Sequence, residues 1–184
     1  MEPMALPQIT WLDVQQMPDD GNRYEAIDGD LYMTPAPKVR HQRISLRLER
    51  AIYSLLVDGG YGELLHAPVG VEFPASGEGV QPDILFISNA RRSIIGEDWL
   101  RGAPDLVVEI LSPTTAHRDR GIKLRLYERQ GVLEYWIVDP EAAAVEVWRF
   151  GDESHFDRYT ERLPVRAGGS EVGAIDLGEV FARD

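Results

Sequence analysis

Between Ile44 and Leu55 apolar residues recur three and four positions apart, at Ile44, Leu48, Ala51, Ile52 and Leu55. That spacing draws one stripe along an amphipathic helix, predicted from about His41 to Val57 and ended by Asp58-Gly59-Gly60. Elsewhere the pattern shortens. QPDILFIS (81–88) and PDLVVEILS (104–112) are apolar at successive positions, so both faces of each strand are predicted to be covered, as in the middle of a sheet. HAPVGVEF (66–73), EYWIVDP (134–140) and AVEVWRF (144–150) read as three further strands, with ASGEG as a glycine-rich turn. In RYEAIDGDLYMT (23–34) the pair Asp28-Gly29 lies between two apolar, aromatic runs, which predicts a hairpin. TPAPKV after it is a loop, because its prolines and the residues before them resist helix. Thr10 is placed to cap a short helix reaching Met17, with Asp13 three residues on. A second long helix is predicted from Asp119 to Gln130, closed by Gly131, and VGAIDLGEVF in the tail is expected to pack back onto the body. The order is that of one α/β or α+β domain spanning 1–184, with a mixed central sheet flanked by helices and an N-terminal β-hairpin.

Two acids interrupt this pattern. Asp83 opens one of the two-faced apolar strands, and Glu109 lies inside the other. A carboxylate taken out of water needs a partner, a proton or a metal. For Asp83 alone, ordinary turn chemistry after Pro82 would suffice. If the two strands pair antiparallel with Asp83 opposite Glu109, Ser88 falls opposite Pro104, and the strands begin and end together. Directly opposite residues share a face with Cβ atoms about 4.5–5.5 Å apart. Two such carboxylates repel, and a divalent cation between them resolves the conflict; oxygen-only ligands suit Mg²⁺ or Mn²⁺. Asp105 shares a face with Glu109 but lies about 13 Å away along the strand, too far to chelate one ion, and reads as the residue that starts it. Tyr135 and Trp136 read as core.

Composition narrows the function. The net charge of −12 argues against a general nucleic-acid coat. Yet ten of the 19 basic residues fall into two short segments: Lys38, Arg40, Arg43, Arg47 and Arg50, then Arg118, Arg120, Lys123, Arg125 and Arg129. Arg43, Arg47 and Arg50 follow one another at helical spacings of four and three, so they share a face. Cysteine is absent, which excludes disulfides and thiolate metal sites and fits a reducing, cytoplasmic setting. The N-terminal sequence lacks the basic-then-apolar order of a secretory signal, and no apolar run is long enough to span a membrane.

Pro82-Asp83 followed by a later strand carrying Glu109 resembles the PD-(D/E)XK nuclease superfamily. More narrowly, YEAIDGDLY, HQRIS, VQPDILFIS, GAPDLVVEILSPTT, DRGIKLRLYERQGVLEYWIVDP and VEVWR together resemble the Uma-type family of restriction endonucleases. The likeness runs from about Thr10 to Phe150. It implies a restriction-endonuclease-like core and a Mg²⁺-dependent (or Mn²⁺-dependent) endonuclease acting on nucleic acid, DNA foremost, without a membrane and as a homodimer. Asp83, Glu109 and the backbone carbonyl of Ile110 would hold the metal. The superfamily lysine two residues after the acid is Leu111 here, so the resemblance points to Lys123 as a migrated substitute. It also places Glu25 and His41 near the site, and gives Arg43, Arg47, Arg50 and Arg120 the task of holding the nucleic-acid backbone.

Two rivals stand beside this reading. A nuclease-fold module without activity, binding nucleic acid or protein, would explain Leu111 but not two carboxylates kept on apolar strands. A glycosidase-like acid pair would explain the carboxylates but not the arginine clusters.

Overall fold

The computed structural model describes residues 8–151 and 155–183. Its first helix, α1 (Trp11–Val14), is one turn long and ends before Met17. The Asp13 carboxylate accepts from both the amide and the hydroxyl of Thr10, at 2.8 and 2.7 Å, so the predicted cap is present. Strands β1 (Arg23–Ile27) and β2 (Asp30–Thr34) form the hairpin. Asp28 and Gly29 both have positive φ, 52° and 82°, as the tight turn between twisted strands requires. Helix α2 (Val39–Ile52) continues as a π-helical stretch, Tyr53–Val57, so the predicted helix is present with its start two residues earlier.

Strands β3 (Gly62–His66) and β4 (Val71–Phe73) correct the single strand expected over 66–73. A cis Ala67–Pro68 bond lies between them, and each joins a different sheet. The expected glycine-rich turn is also shorter than ASGEG, because β5 (Glu78–Val80) starts within it. Then come β6 (Ile84–Ser88), β7 (Leu100–Arg101) and β8 (Leu106–Ile110). The second long helix is one run in three parts: α3 (Ala116–Arg118), a π-helical stretch Asp119–Lys123, and α4 (Leu124–Gln130). Gly131 closes it with φ 83°, a left-handed conformation that glycine takes without strain. Strands β9 (Glu134–Asp139), β10 (Ala144–Arg149), β11 (His155–Tyr159), β12 (Arg162–Ala167) and β13 (Ser170–Asp176) lead to α5 (Leu177–Phe181).

The one mixed sheet expected becomes three. The central six-stranded sheet runs β11-β10-β9-β8-β6-β3, and only β8 and β9 pair parallel within it. A five-stranded sheet, β2-β1-β5-β4-β7, carries the hairpin, and β12 and β13 pair alone. Both faces of the central sheet are covered, which is why its strands lack alternation. On one face Ile44, Leu48 and Ile52 of α2 pack with Ile84, Val108, Ile110 and the tail residues Ile175 and Val180. On the other, Leu126 and Tyr127 of α4 pack with Leu85, Val107, Leu111 and Tyr135, together with Val71 and Phe73 of the second sheet. The tail therefore closes the first core as expected.

The site is set by the pairing of β6 with β8. Ile84 faces Val108, Leu85 faces Val107 and Phe86 faces Leu106. One further step in this register sets Asp83 opposite Glu109, on the face covered by α4 and the five-stranded sheet.

Candidate active site

Asp83 and Glu109 are both buried, at 4% exposure, and neither stands alone. Asp83 Oδ1 accepts from Arg23 at 2.8 Å; Oδ2 accepts from the Ile110 amide at 2.9 Å and lies 3.1 Å from His41 Nε2. Glu109 Oε1 accepts from Lys123 Nζ at 2.8 Å and from the Tyr127 hydroxyl at 2.7 Å. Lys123 Nζ also lies 2.8 Å from Glu25 Oε1 and 3.9 Å from Asp119. Glu25 Oε1 takes a further bond from the Gln81 amide at 2.9 Å. The structure thus gathers Asp83, Glu109, Lys123, Glu25 and His41, five residues singled out in the sequence, into one cluster.

Local folding explains who arrives. On β1, Arg23 and Glu25 are two apart and share a face, so the hairpin delivers a cation and an acid together. In the helical run, Asp119, Lys123 and Tyr127 are each four apart and project from one side. The π-helical stretch at Asp119–Lys123 places both of its end residues in the buried interior. Arg23, Asp119 and Tyr127 were not foreseen, although these two periodicities carried the signal: each is one repeat from a residue already suspected.

Other expected residues lie elsewhere or act differently. Ile110 meets the cluster through its amide, which donates to Asp83, and it lines the cavity. Arg47 donates to the carbonyls of Val180 and Ala182, so it ties down α5 rather than facing a phosphate. Arg120 is held by Asp139 and Glu146, at 2.9 and 2.8 Å, and is not among the residues lining the cavity at the site. Arg43 lines a neighbouring groove, and Arg50 is exposed but lines neither opening.

The electrostatics are uneven. Burial alone would raise Asp83, but the His41 hydrogen bond, Arg23 and the Ile110 amide overcome it and hold the carboxyl at about 2. Burial pushes Glu109 up to about 8 against the pull of Lys123, with Asp83, Asp119 and Glu25 adding repulsion. Burial would lower Lys123, yet Glu109, Glu25 and Asp119 hold it well above the ordinary lysine range. With three carboxylates facing it, Lys123 is the charged partner, and Glu109 is the carboxyl that takes any extra proton. Burial also raises Asp119.

Counting charges, four buried carboxylates (Glu25, Asp83, Glu109 and Asp119) meet two cations, Arg23 and Lys123. With all four acids ionised they outnumber these two cations by two, and a proton on Glu109, whose carboxyl burial pushes up to about 8, reduces the excess to one. Moreover, Glu25 Oε2 and His41 Nδ1 are buried without a hydrogen-bond partner, an arrangement rare in folded proteins. Above the cluster opens a cavity of about 310 Å³, rimmed by Thr34, Pro35, Pro37, Pro113 and Pro140.

Among the described residues no three His, Asp or Glu side chains are already arranged around a metal position. Mg²⁺ does not demand such a cage, since it is commonly held by one or two carboxylates, waters and substrate phosphates. The all-oxygen acids, the orphaned Glu25 oxygen and the excess of acids over cations fit a hard divalent cation.

Residues 11–170 match the family Uma2, described as "Putative restriction endonuclease". The chain belongs to this family. It is 27% identical over 160 residues to the uncharacterized protein slr1290 of Synechocystis, a match covering 84% of this chain and 82% of that one. It also superposes on a crystal structure described as a putative nuclease belonging to DUF820, from Anabaena variabilis, with a TM-score of 0.75. That superposition spans 94% of this chain and 97% of the other at 20% identity, which bears out the mixed α and β nuclease-like fold. Among the described residues no helix is long and apolar enough to cross a membrane.

Proposed function

We propose that this Uma2 protein is a metal-dependent endonuclease that hydrolyses phosphodiester bonds of DNA, with Asp83 and Glu109 holding one Mg²⁺ or Mn²⁺. The observation that carries the reading is the excess of four buried carboxyls over two cations in a cluster at the foot of an open cavity. A divalent cation there would offset this excess, polarise a phosphoryl oxygen and acidify a bound water. The chain's own groups prepare the rest. Tyr127 and Lys123 both occupy Glu109 Oε1, which fixes the carboxylate and leaves Oε2 for a ligand. Lys123 keeps a full positive charge beside the reacting centre, where it offsets negative charge developing on the phosphoryl group. It thereby takes the part of the strand lysine that Leu111 cannot play. Arg23 and His41 orient Asp83, while His41 Nδ1 stays buried and unpartnered.

A second reading has its own support. Every oxygen of Asp83 is already bonded within the chain, as expected of a nuclease-fold module that binds nucleic acid or protein without cutting it. Calorimetric titration with Mn²⁺ and Mg²⁺ separates the two. The endonuclease reading expects one bound ion in the wild type, none in Asp83→Asn, and loss of cleavage in that variant. An absence of divalent binding in the wild type, or an unchanged affinity in Asp83→Asn, favours the inactive module.

A further inference from the structure

Resting on the hydrolase reading above, we infer that the strand this site accepts is single-stranded DNA, either free or as the unpaired end of a duplex, and that a blunt duplex is excluded. Depth is the first reason. Asp83 and Glu109 lie at 4% exposure on the floor of a cavity of about 310 Å³. That is the lower end of the volume range for pockets that enclose a small molecule, about 300–1,000 Å³, and it suits one nucleotide. A duplex is far wider; its major groove alone measures about 12 Å across.

The rim is the second reason. Thr34, Pro35, Ala36 and Pro37 form one wall, and Pro113 and Pro140 stand among the residues that complete the lining. This wall is tied down at both ends. Arg118 donates to the Met33 carbonyl and the Thr34 hydroxyl at 3.2 and 3.3 Å. Beyond its other end Arg40 reaches Glu141 at 2.6 Å and also bonds the Pro140 carbonyl. Proline rings offer flat apolar surfaces that suit a base or a sugar, not a row of phosphates.

The path through the site is the third. A groove of about 1040 Å³ meets the cavity at Arg23, Ala36, Pro37, His41, Gln81 and Asp83. An extended strand can lie in the groove, with Val39 and Leu46 exposed along it, and set one nucleotide into the cavity. Unpaired bases can lie against such apolar side chains, whereas paired bases are turned inward.

Charge is the fourth. The basic side chains around the two openings are largely engaged: Arg23 with Asp83, Arg40 with Glu141, Lys123 with Glu25 and Glu109, and Arg118 with the loop. Lys38 stands exposed at the rim. On a chain of net charge −12, Lys38 and Arg118, whose bonds to the loop are to neutral oxygens, leave capacity for about two phosphate contacts, against the roughly 6–10 that a firm duplex binder makes.

The test compares three labelled DNA oligonucleotides of matched sequence with the whole chain: single-stranded, blunt duplex, and duplex with an unpaired tail. Cleavage is measured with Mn²⁺ and with Mg²⁺, and binding by fluorescence anisotropy over a range of salt. The single strand and the tail are expected to be cut at least about tenfold faster than the blunt duplex, with the tailed substrate cut in its tail. The salt slope for the single strand is expected near −1.4, from two contacts at about −0.7 each. Blunt duplex cut as fast as single strand overturns the inference and leaves the hydrolase reading intact. If no substrate is cut with either metal, the hydrolase reading fails, and the binding curves still decide: tighter single-strand binding upholds the preference, while equal or tighter duplex binding overturns it.

Discussion

Replacing Lys123 with Met tests the centre of the site most directly. Methionine keeps much of the length and volume of the buried side chain but removes its charge. Glu25, Glu109 and Asp119 then face one another in the interior without their shared ammonium. Breaking a buried ion pair on one side costs about 3–5 kcal/mol, because the remaining charge is left uncompensated. Here the loss depends on pH, and its sign follows from Glu109. The folded-state value of Glu109, about 8, lies above its ordinary 4.5, so the folded protein binds the extra proton more readily than the unfolded chain. Stability from this group is present below the unfolded value and is lost as pH rises through the folded one. Without Lys123 the folded value rises further, so the loss becomes larger and extends to higher pH. The difference between wild type and Lys123→Met is expected to be about 3–5 kcal/mol near pH 5, because Glu25 and Asp119 lose their cation even where Glu109 is protonated, and to grow by about 1.4 kcal/mol by about pH 9, one unit above the wild-type Glu109 value. Urea unfolding at both pH values measures it. Adding Glu109→Gln should recover part of the loss at high pH, since one of the stranded charges is gone. A difference that stays constant with pH, or two substitutions that simply add, would refute the view that Lys123 compensates these acids.

Other expectations are more local. Divalent metal should raise the melting temperature of the wild type in proportion to its occupancy, and should not do so in Asp83→Asn; scanning calorimetry with and without Mn²⁺ reads this directly. Tyr127→Phe removes a hydroxyl that donates to the charged form of Glu109, so it should cost about 1.5–3 kcal/mol and move the acid limb of the pH–rate profile to higher pH. Arg47→Gln should loosen the C-terminal helix by about 1 kcal/mol, seen as faster amide exchange there, and leave the salt slope of DNA binding unchanged. Gly79→Ala would set a Cβ 2.2 Å from the Trp11 ring, and overpacking of this kind costs about 1–3 kcal/mol on denaturant unfolding.

The parts of this structure legible in the sequence are those where one residue type breaks a strong period. Ile44, Leu48 and Ile52 announce their helix because the stripe runs over several turns. Asp83 and Glu109 announce their pairing because each interrupts an apolar strand, and the lengths of the two strands leave one register that keeps their ends together. The second sheet was hidden for the opposite reason. β4, β5 and β7 are two or three residues long, too short to show alternation, and Gly79 and Glu78 read as turn residues. Gly79 belongs in that strand because Trp11 packs against its bare backbone. The roles of Arg47 and Arg120 were hidden differently. Clustering in sequence suggested one phosphate-binding face, but Arg47 meets carbonyls 133 and 135 residues away, which no local pattern encodes.

The position of the lysine follows from the layers around the central sheet. Along β8, Val107, Glu109 and Leu111 share the face that meets α4 and the five-stranded sheet, while Leu106, Val108 and Ile110 share the face that meets α2. Leu111 lines the edge of the cavity, but most of its side chain belongs to the apolar cluster under α4, with Leu126 and Tyr127. A lysine there would have to be held within that packing, and the acids already near it would gain a cation at the expense of the core that fixes β8. The helical run lies over the same face and meets Glu109 from the other side. A cation at Lys123 therefore reaches the acid from the covering layer, leaves Leu111 to pack, and brings Asp119 and Tyr127 with it at four-residue spacing. Leu111→Lys in a Lys123→Ala background tests the exchange. The charge returns to the site, so part of any lost cleavage should return with it, but the core loses a buried leucine, so thermal stability should fall below that of Lys123→Ala alone. Cleavage restored without that loss would mean that position 111 opens onto the cavity more than onto the core, and the layered account of the migrated lysine would be wrong.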